Sequence, residues 1–346
     1  MMRRIVLPLL AWYREHKRIL PWRENTDAYR VWISEIMLQQ TRVEAVIEYY
    51  VRFLERFPDI RSLAEAEEDE LLKYWEGLGY YSRARNLHKA AKLICAEYGG
   101  VFPSEFSAIR ALPGIGDYTA GAIASIAFEQ PMPAVDGNVL RVVSRILADD
   151  RCTDDLSVRK DITVRLAEIY PKEQRGDFTQ SLMELGATVC LPNGAPKCGV
   201  CPLADLCTAH KAGEELRYPV RAEKKQRRIE KKTVFIMTCG DCIAVRKRTE
   251  KGVLSGMWEL PNLEGHLSEK EAAEHLTEEG ITIMQIEPMP AKKHIFTHIE
   301  WQMKAYSVGC ALPAGEYIWV AFEELEKGIA LPTAFRKFLG EPKGKN

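Results

Sequence analysis

Apolar residues recur at helical spacing through the first 215 positions of the chain. One such segment follows three helix-capping residues, Asn25, Thr26 and Asp27. Its apolar side comprises Tyr29, Trp32, Ile33, Ile36 and Met37, with Gln40 at its end. Similar spacing predicts further helices at 43–57, 69–75, 82–98, 104–112, 156–170 and 176–189, joined mostly by short turns that contain Pro or Gly. The pattern therefore predicts a compact, mainly α-helical region over residues 1–215.

The pattern changes after residue 232. Short apolar runs predict strands at 233–237, 243–245, 301–306 and 317–320. Residues 216–232, between the two regions, are charged and poor in apolar side chains, which is typical of a linker. We therefore expect an α+β domain over residues 233–346, connected through a linker at 216–232 to the helical region.

Composition and charge add few restrictions. The 346 residues are enough for two domains with separate cores. The net charge of −1 hides a run at 221–232 with seven cations and two anions, so charge neither excludes nor establishes binding to nucleic acid. Charged residues directly follow the first apolar run and no small-residue cleavage site is present, which indicates an amphipathic helix and not a signal peptide. No apolar stretch approaches the length of a membrane span, and we expect a cytoplasmic protein without membrane association.

A Leu-Pro-Gly-Ile-Gly turn at 112–116 precedes a run of small residues that predicts a slender helix. Gly114 and Gly116 permit backbone conformations that are closed to other residues, so that successive N–H groups can face one phosphate. Asp136 follows about one helix later, at the expected start of the next helix, where an aspartate is most often an N-cap. Local sequence alone therefore favours a capping role for Asp136 and makes the turn a weak indication of nucleic-acid binding.

Glu35 lies among apolar neighbours in the middle of the helix predicted from Tyr29 to Gln40. Such a carboxylate lies either on the solvated face, which is the commoner case, or in an apolar pocket that raises its pKa and favours the acid form. Periodicity alone favours the solvated face.

Four of the nine cysteines fall within eighteen residues: Cys190, Cys198, Cys201 and Cys207. This uneven placement indicates a metal site in a reducing cytosol more than a disulfide framework. Zinc sites usually use two short cysteine pairs, and only Cys198 and Cys201 form one here, so zinc and an iron–sulfur cluster both remain open at this point. Cys239 and Cys242 form a lone pair, and we expect no second metal site there.

Together these motifs resemble the helix-hairpin-helix DNA glycosylases, and within them the MutY-type adenine DNA glycosylases. The resemblance covers nearly the whole chain and is carried by Leu-Pro-Trp-Arg at 20–23, by Ser-Glu-Ile-Met-Leu-Gln-Gln-Thr at 34–41, by the turn at 112–116 and by the cysteines. It implies a glycosylase region with a [4Fe–4S] loop at 190–207 and a C-terminal Nudix-like domain. The cluster would be bound by Cys190, Cys198, Cys201 and Cys207, although seven residues separate the first two cysteines where six are typical. The implied partner is duplex DNA with adenine opposite 8-oxoguanine or guanine, bound by a monomer.

The resemblance also implies roles for individual residues. Glu35 would protonate adenine at N7 and Asp136 would stabilise the oxocarbenium-like sugar, while Tyr118 and Asn138 would position groups around that sugar. The adenine pocket would comprise Arg18, Trp22, Arg23 and Gln180.

Further residues would contact the DNA outside the adenine pocket. They are Gln40, Thr41, Leu78, Tyr80, Gly114 and Gly116, of which Gln40 and Tyr80 would fill the gap left by the flipped base, while Leu78 and Tyr80 enter the minor groove. Phe296, Thr297 and His298 would inspect 8-oxoguanine.

Three other functions compete with adenine excision. An endonuclease III-type lyase needs a lysine where Tyr118 stands, because only an amine forms a Schiff base. A non-catalytic lesion sensor would not require both Glu35 and Asp136. A pyrophosphatase is suggested by Gly-Met-Trp-Glu-Leu-Pro at 256–261, which resembles the entrance of a Nudix domain. However, of the clustered glutamates that would bind magnesium, only Glu271 and a shortened Glu-Glu-Gly remnant at 278–280 are present. We therefore expect a monofunctional adenine DNA glycosylase of base excision repair.

Overall fold

A computed structural model describes residues 2–223 and 226–340. The chain forms two compact units. The first comprises the described residues up to Glu65 together with Asn86–Glu223, and the second comprises Ala66–Arg85 together with the described residues beyond Glu223. The second unit therefore includes a segment that lies, in sequence, inside the helical region.

The helices that apolar periodicity predicts from Tyr29 onward are present, with ends within three residues of the predicted positions. The helices are, in chain order, α1 (Val6–His16), α2 (Ala28–Leu38), α3 (Val43–Arg56), α4 (Ile60–Glu65), α5 (Glu68–Tyr74), α6 (Ser82–Tyr98), α7 (Phe106–Ala111), α8 (Asp117–Phe128), α9 (Gly137–Leu147), α10 (Leu156–Ala167), α11 (Arg175–Thr188) and α12 (Thr208–Ala212). Short 3₁₀ turns occupy Met2–Ile5, Pro21–Arg23, Cys198–Val200, Ala204–Leu206 and Glu215–Arg217. Within the described part of the chain, no helix combines the length and the apolarity that a membrane crossing requires.

Two glycines let the elements around α8 and α11 approach closely. A Cβ added at Gly121 on α8 would lie 2.2 Å from the carbonyl oxygen of Pro133, so the segment before α9 packs directly on the α8 backbone. A Cβ at Gly186 on α11 would lie 2.5 Å from the Cβ of Asn138, at the start of α9. Both distances are below those that real side chains tolerate. These contacts fix the start of α9 against its two neighbouring helices.

The second unit contains a mixed sheet with helices on both faces. Its strands are β1 (Arg228–Cys239), β2 (Cys242–Lys247), β3 (Trp258–Glu259), β4 (Asn262–Glu264), β5 (Ile283–Ile295), β6 (Ile299–Cys310) and β7 (Ile318–Ala321). Its helices after β1 are α13 (Glu269–Glu278), α14 (Phe322–Gly328) and α15 (Thr333–Arg336). The strand order is β3-β2-β1-β6-β5, with β4 beside β1 and β7 beside β2, and β1 and β6 are parallel. This arrangement confirms the predicted α+β domain.

Side chains along β1 alternate between the two faces of the sheet, which explains why helices cover both faces. Val234 and Ile236 join the core cluster that contains Leu325 of α14, whereas Phe235 joins the cluster that contains Leu276 of α13. Successive strand residues point to opposite faces, so each face needs its own helical cover. Glu271 caps α13 through a capping box with Ser268, so its carboxylate is used in holding the helix end.

The sequence did not predict β3, β4 or β5. The β5 strand lies at the edge of the sheet and most of its side chains are exposed, so it lacks the apolar run that predicts a buried strand. It also contains Pro288 and Pro290, which are tolerated at an edge and argue against a strand when sequence alone is considered. β1 begins at Arg228, within the segment expected to be a linker.

Candidate active site

A cavity of about 440 Å³ opens in the first unit between α2, α8, the start of α9 and α11. Its lining includes ten of the residues that the sequence resemblance assigned to the site: Arg18, Trp22, Arg23, Glu35, Gln40, Thr41, Tyr118, Asp136, Asn138 and Gln180. It also includes residues that the sequence did not indicate, among them Met183 and Glu184. Residues from four separate parts of the chain thus surround one space large enough for a base.

Glu35 faces this cavity from α2 and is only 6% exposed. The hydroxyl of Tyr118 donates a hydrogen bond of 2.6 Å to Oε2 of Glu35. The pKa of Glu35 is raised to about 7: burial is the largest cause, the Tyr118 hydrogen bond and the charge of Arg23 oppose the increase, and the nearby charge of Asp136 adds to it. The solvated position that periodicity favours is therefore wrong, and near pH 7 this carboxyl can both give and take a proton.

Asp136 is the N-cap of α9 and also lines the cavity. Its Oδ1 accepts a hydrogen bond of 2.7 Å from the backbone N–H of Val139, and its Oδ2 accepts one of 2.7 Å from the side-chain amide of Asn138. Burial raises the pKa of Asp136, and these donors oppose the effect. The capping role that local sequence favours is thus confirmed, and it places the carboxylate in the cavity.

Arg141, which the sequence did not indicate, holds the side-chain amide of Asn138 in place. Its Nη2 donates to Oδ1 of Asn138 at 2.8 Å and to the carbonyl of Gly186 at 2.7 Å, and its Nε donates to the carbonyl of Cys190 at 2.7 Å. A guanidinium only donates, so this contact selects the amide oxygen of Asn138 and turns the amide nitrogen toward Asp136. One buried arginine thereby joins the start of the cysteine loop to the carboxylate site.

Two arginines at the rim converge on Glu184 of α11. Arg18 donates through Nε to Oε1 at 2.8 Å and through Nη2 to Oε2 at 3.0 Å, and Arg23 donates through Nη2 to Oε2 at 2.8 Å. Arg23 also donates through Nε to Oε1 of Gln180 at 3.2 Å. Three of the four expected pocket residues therefore lie in one hydrogen-bonded network around a carboxylate that the sequence did not reveal.

The turn at 112–116 lies outside the cavity lining. Gly114 has a φ of +78° and its Cβ position would lie 2.6 Å from the Cβ of Asn86, so only glycine fits. Gly116 has an ordinary φ of −95° and is the N-cap of α8, which corrects the expectation that both glycines adopt special conformations. Apart from its chain neighbours and its own helix, no described residue lies within 4 Å of a Cβ added at Gly116, so there is open space at this helix start.

All four clustered cysteines line one small cavity in the first unit. Nη1 of Arg145 donates to Sγ of Cys190 at 3.2 Å, a contact that suits a thiolate. Burial raises the pKa of Cys198 and of Cys201 to about 11, so these thiols ionise readily only with a metal bound. Gly194 takes a φ of +72° in the bend that absorbs the long spacing between Cys190 and Cys198. The donor set is suited to a metal centre.

In the second unit, the loop after α5 lies beside the loop between β5 and β6. The hydroxyl groups of Tyr80 and Thr297 are 3.0 Å apart, and both residues line a cavity of about 680 Å³ together with Phe296 and His298. Tyr80 is 48% exposed and has a φ of +48°. Leu78 is only 6% exposed, so of the two residues expected to enter the groove, only Tyr80 is presented to solvent.

Comparisons with known proteins agree with both halves of the chain. The HhH-GPD superfamily of base excision DNA repair proteins matches residues 33–168, and the NUDIX domain family matches residues 233–341. A thermostable thymine-DNA glycosylase has a similar structure, with a TM-score of 0.55 and 28% identity, over 61% of this chain and 97% of that chain. An endonuclease III–DNA complex gives a TM-score of 0.52 and 26% identity over 61% of this chain and 96% of that chain. The fold and the cavity with two carboxylates thus define a helix-hairpin-helix base excision repair glycosylase followed by a Nudix-like domain.

Curated relatives make this assignment more specific. Adenine DNA glycosylase from Mus musculus is 33% identical over 393 residues, covering 95% of this chain and 76% of the mouse protein. The Homo sapiens enzyme is 32% identical over 408 residues, covering 97% of this chain and 74% of the human protein. The enzyme from Buchnera aphidicola subsp. Schizaphis graminum is 38% identical over 258 residues, which is 74% of each chain. The chain belongs to the adenine DNA glycosylase family and excises adenine from DNA in base excision repair.

Proposed function

We propose that the chain removes adenine opposite 8-oxoguanine by hydrolysis alone, with Glu35 and Asp136 as the reacting carboxylates. The observation that carries this proposal is the placement of both groups on one cavity, where burial brings the pKa of Glu35 to about 7. Cleavage of a glycosidic bond needs an acid for the leaving group and a negative charge for the developing sugar cation. Two carboxyl groups in different surroundings can divide these tasks.

Glu35 serves first as the acid. Tyr118 occupies Oε2 of Glu35, which leaves Oε1 to protonate N7 of the flipped adenine. Asp136 is held by Val139 and Asn138, so the carboxylate keeps its position while positive charge develops on the sugar. Glu35, having lost its proton, then takes one from the attacking water. The base must leave the helix stack to reach this cavity, at a cost of a few kcal/mol that side chains filling the gap offset.

Hydrolysis without strand cleavage is supported by the identity of residue 118. A lyase step needs an amine that forms a Schiff base with the sugar. Tyr118 supplies a phenol whose pKa burial raises well above its ordinary value. The phenol therefore stays protonated and serves as a hydrogen-bond donor to Glu35.

The preference for 8-oxoguanine is assigned to the cavity in the second unit. Phe296, Thr297 and His298 form one wall and Tyr80 faces them. The Thr297 hydroxyl and the Tyr80 phenol can each donate or accept, which suits a base edge that differs from guanine at N7 and at the 8-oxo group.

We propose a [4Fe–4S] cluster as the cofactor of the cysteine loop. Cys190, Cys198, Cys201 and Cys207 would hold it. Among the described residues, one group of three or more His, Cys, Asp or Glu side chains has all of its ligand atoms within 4.8 Å of one another. It comprises Cys198, His210 and Glu215, so no three of the four cysteine sulfurs lie that close together. The sulfur ligands of a single zinc ion would lie about 3.8 Å apart. Cysteine sulfurs that are farther apart than this favour a cluster, which is larger than one ion. A bound cluster would supply folding free energy to a loop with little apolar content.

The test is a duplex that contains a single adenine opposite 8-oxoguanine or opposite guanine. We expect excision that yields strand breaks only after alkali, and faster excision opposite 8-oxoguanine. Breaks without alkali, or efficient borohydride trapping of the protein on DNA, would contradict the monofunctional assignment. Equal rates on the two duplexes would contradict the role given to Thr297. A protein with this substrate acts where the chromosome lies, which in a bacterium is the cytoplasm.

A further inference from the structure

Glu184 is a fully buried carboxylate in the middle of α11, with 1% of the residue exposed. A buried charge is costly unless it is paired and hydrogen-bonded. Burial alone would raise the pKa of Glu184, but the hydrogen bonds from Arg18 and Arg23 outweigh it and lower the pKa to about 2. Glu184 therefore stays ionised, and with its two arginines it forms a triad of net charge +1.

The triad holds a segment that has no regular structure of its own. The chain between α1 and the 3₁₀ turn at Pro21–Arg23 lacks helix and strand hydrogen bonding. Glu184 accepts from the backbone N–H of Arg18 at 3.1 Å as well as from its side chain, and Nη1 of Arg23 donates to the carbonyl of Arg18 at 3.1 Å. The buried carboxylate thus fixes both the backbone and the guanidinium groups at this edge of the base cavity.

Arg23 connects the triad to the reacting groups. Its Nε donates to Oε1 of Gln180, which orients that amide, since a guanidinium cannot accept. Its positive charge also lowers the pKa of Glu35, and it acts there together with Tyr118 from α8 and Asp136 from the start of α9. How strongly Arg23 acts on Glu35 depends on how completely Glu184 neutralises it.

We propose that Glu184 is a positioning residue of the base cavity: it places Arg18, Arg23 and, through Arg23, Gln180, and it limits the positive charge that Arg23 presents to Glu35. This inference rests on the proposed function of Glu35 as the acid. It predicts effects of opposite sign from the two ends of one ion pair. Without Glu184 the triad carries two uncompensated cations, whereas without Arg18 the remaining pair is neutral.

The experiment measures single-turnover excision against pH for the full-length holoprotein and for Glu184→Gln, Arg18→Gln and the double variant. For Glu184→Gln we expect the pH at which the rate falls on the alkaline side to move down by about one unit, which corresponds to a loss of about eightfold near pH 7.5. For Arg18→Gln it should move up, and in the double variant, which restores the net charge of +1, it should return toward the native value. Glu184→Asp should keep the native midpoint, because the charge remains.

Glu173→Gln is the matched control, since Glu173 is exposed and precedes the same helix. Folding is checked by circular dichroism and by the absorbance of the cluster. If Glu184→Gln does not fold, the upward shift in Arg18→Gln is still required. Shifts in the same direction for folded Glu184→Gln and Arg18→Gln, or unchanged midpoints, would overturn the proposal. An alkaline fall in rate that persists in Glu35→Gln would instead refute the proposed acid role of Glu35.

Discussion

Replacing Tyr118 by phenylalanine tests the proposed acid role of Glu35 by changing its pKa without touching the carboxyl. The phenol donates the 2.6 Å hydrogen bond that stabilises the carboxylate form. A hydrogen bond to a charged group contributes about 1.5–3 kcal/mol, which corresponds to about one to two pH units. Removing it should therefore raise the pKa of Glu35 above its value of about 7 by roughly that amount.

The sign follows from which form reacts first. Adenine leaves only after Glu35 has donated a proton, so the rate falls about tenfold per pH unit once the pH exceeds the pKa. In the native protein this fall should begin near pH 7, where about half of the Glu35 carboxyls are protonated. In Tyr118→Phe it should begin about one to two units higher, because the acid form persists to higher pH.

The assay measures cleavage of a duplex with one adenine opposite 8-oxoguanine by excess enzyme. The pH is varied from 5.5 to 9.5, a range of about four units that brackets the expected pKa values. Tyr170→Phe is the control, since it removes another partly buried phenol, one that pairs with Thr179. Glu35→Gln should lose about 10²–10⁴-fold in rate and show no such fall. A midpoint for Tyr118→Phe that stays in place or moves to lower pH would refute the assignment of Glu35 as the acid.

Three further predictions concern the other parts of the site. Asp136→Asn keeps an oxygen that can cap α9 but removes the charge opposite the sugar, so single-turnover excision should fall by several orders of magnitude. Titration of labelled duplex should show equal or tighter binding, and near-native excision would contradict the role of Asp136. Cys198→Ser should lose cluster absorbance and stable folding together, and the native protein should contain about four irons per chain by metal analysis, so stoichiometric zinc instead would contradict the cluster. Thr297→Ala should reduce the preference for 8-oxoguanine over guanine by about 1 kcal/mol, about fivefold, and an unchanged ratio of rates would remove Thr297 from lesion reading.

The elements that the sequence predicts are those whose apolar side chains are buried. The helix at Ala28–Leu38 repeats apolar residues at the helical period, whereas β1 carries a continuous apolar run at 234–237 because both of its faces are covered. β5 does neither, because an edge strand with mostly exposed side chains is held by its backbone hydrogen bonds to β6. A pattern of side chains therefore could not reveal it.

The residues of the candidate site likewise fall into those that the sequence predicted and those that it did not. Motif resemblance predicted Glu35, Tyr118 and Asp136, and the structure brings all three to one cavity. Motif resemblance did not indicate Glu184 or Arg141. The arginines that pair with Glu184, and the Gly186 and Cys190 carbonyls that hold Arg141 beside Asn138, are distant in sequence. Arg18 and Glu184 are 166 positions apart, and neither position carries a local pattern that marks a buried ion pair. Only the packing of α11 beside the segment before α2 makes a charged residue there stable in the interior.

Asp136 illustrates why a structural role and a chemical role need not be alternatives. As the N-cap of an eleven-residue helix it accepts a backbone N–H, and it lies at the positive end of the helix dipole, which stabilises a carboxylate by about 0.3–1 kcal/mol or more when partly buried. Burial in the cavity acts in the opposite direction and raises its pKa. The same donors that cap the helix thus help to keep a negative charge at the wall of the cavity, which is where the proposed interaction with a developing sugar cation requires it. A capping position is therefore a suitable place in this fold for the carboxylate that the reaction requires.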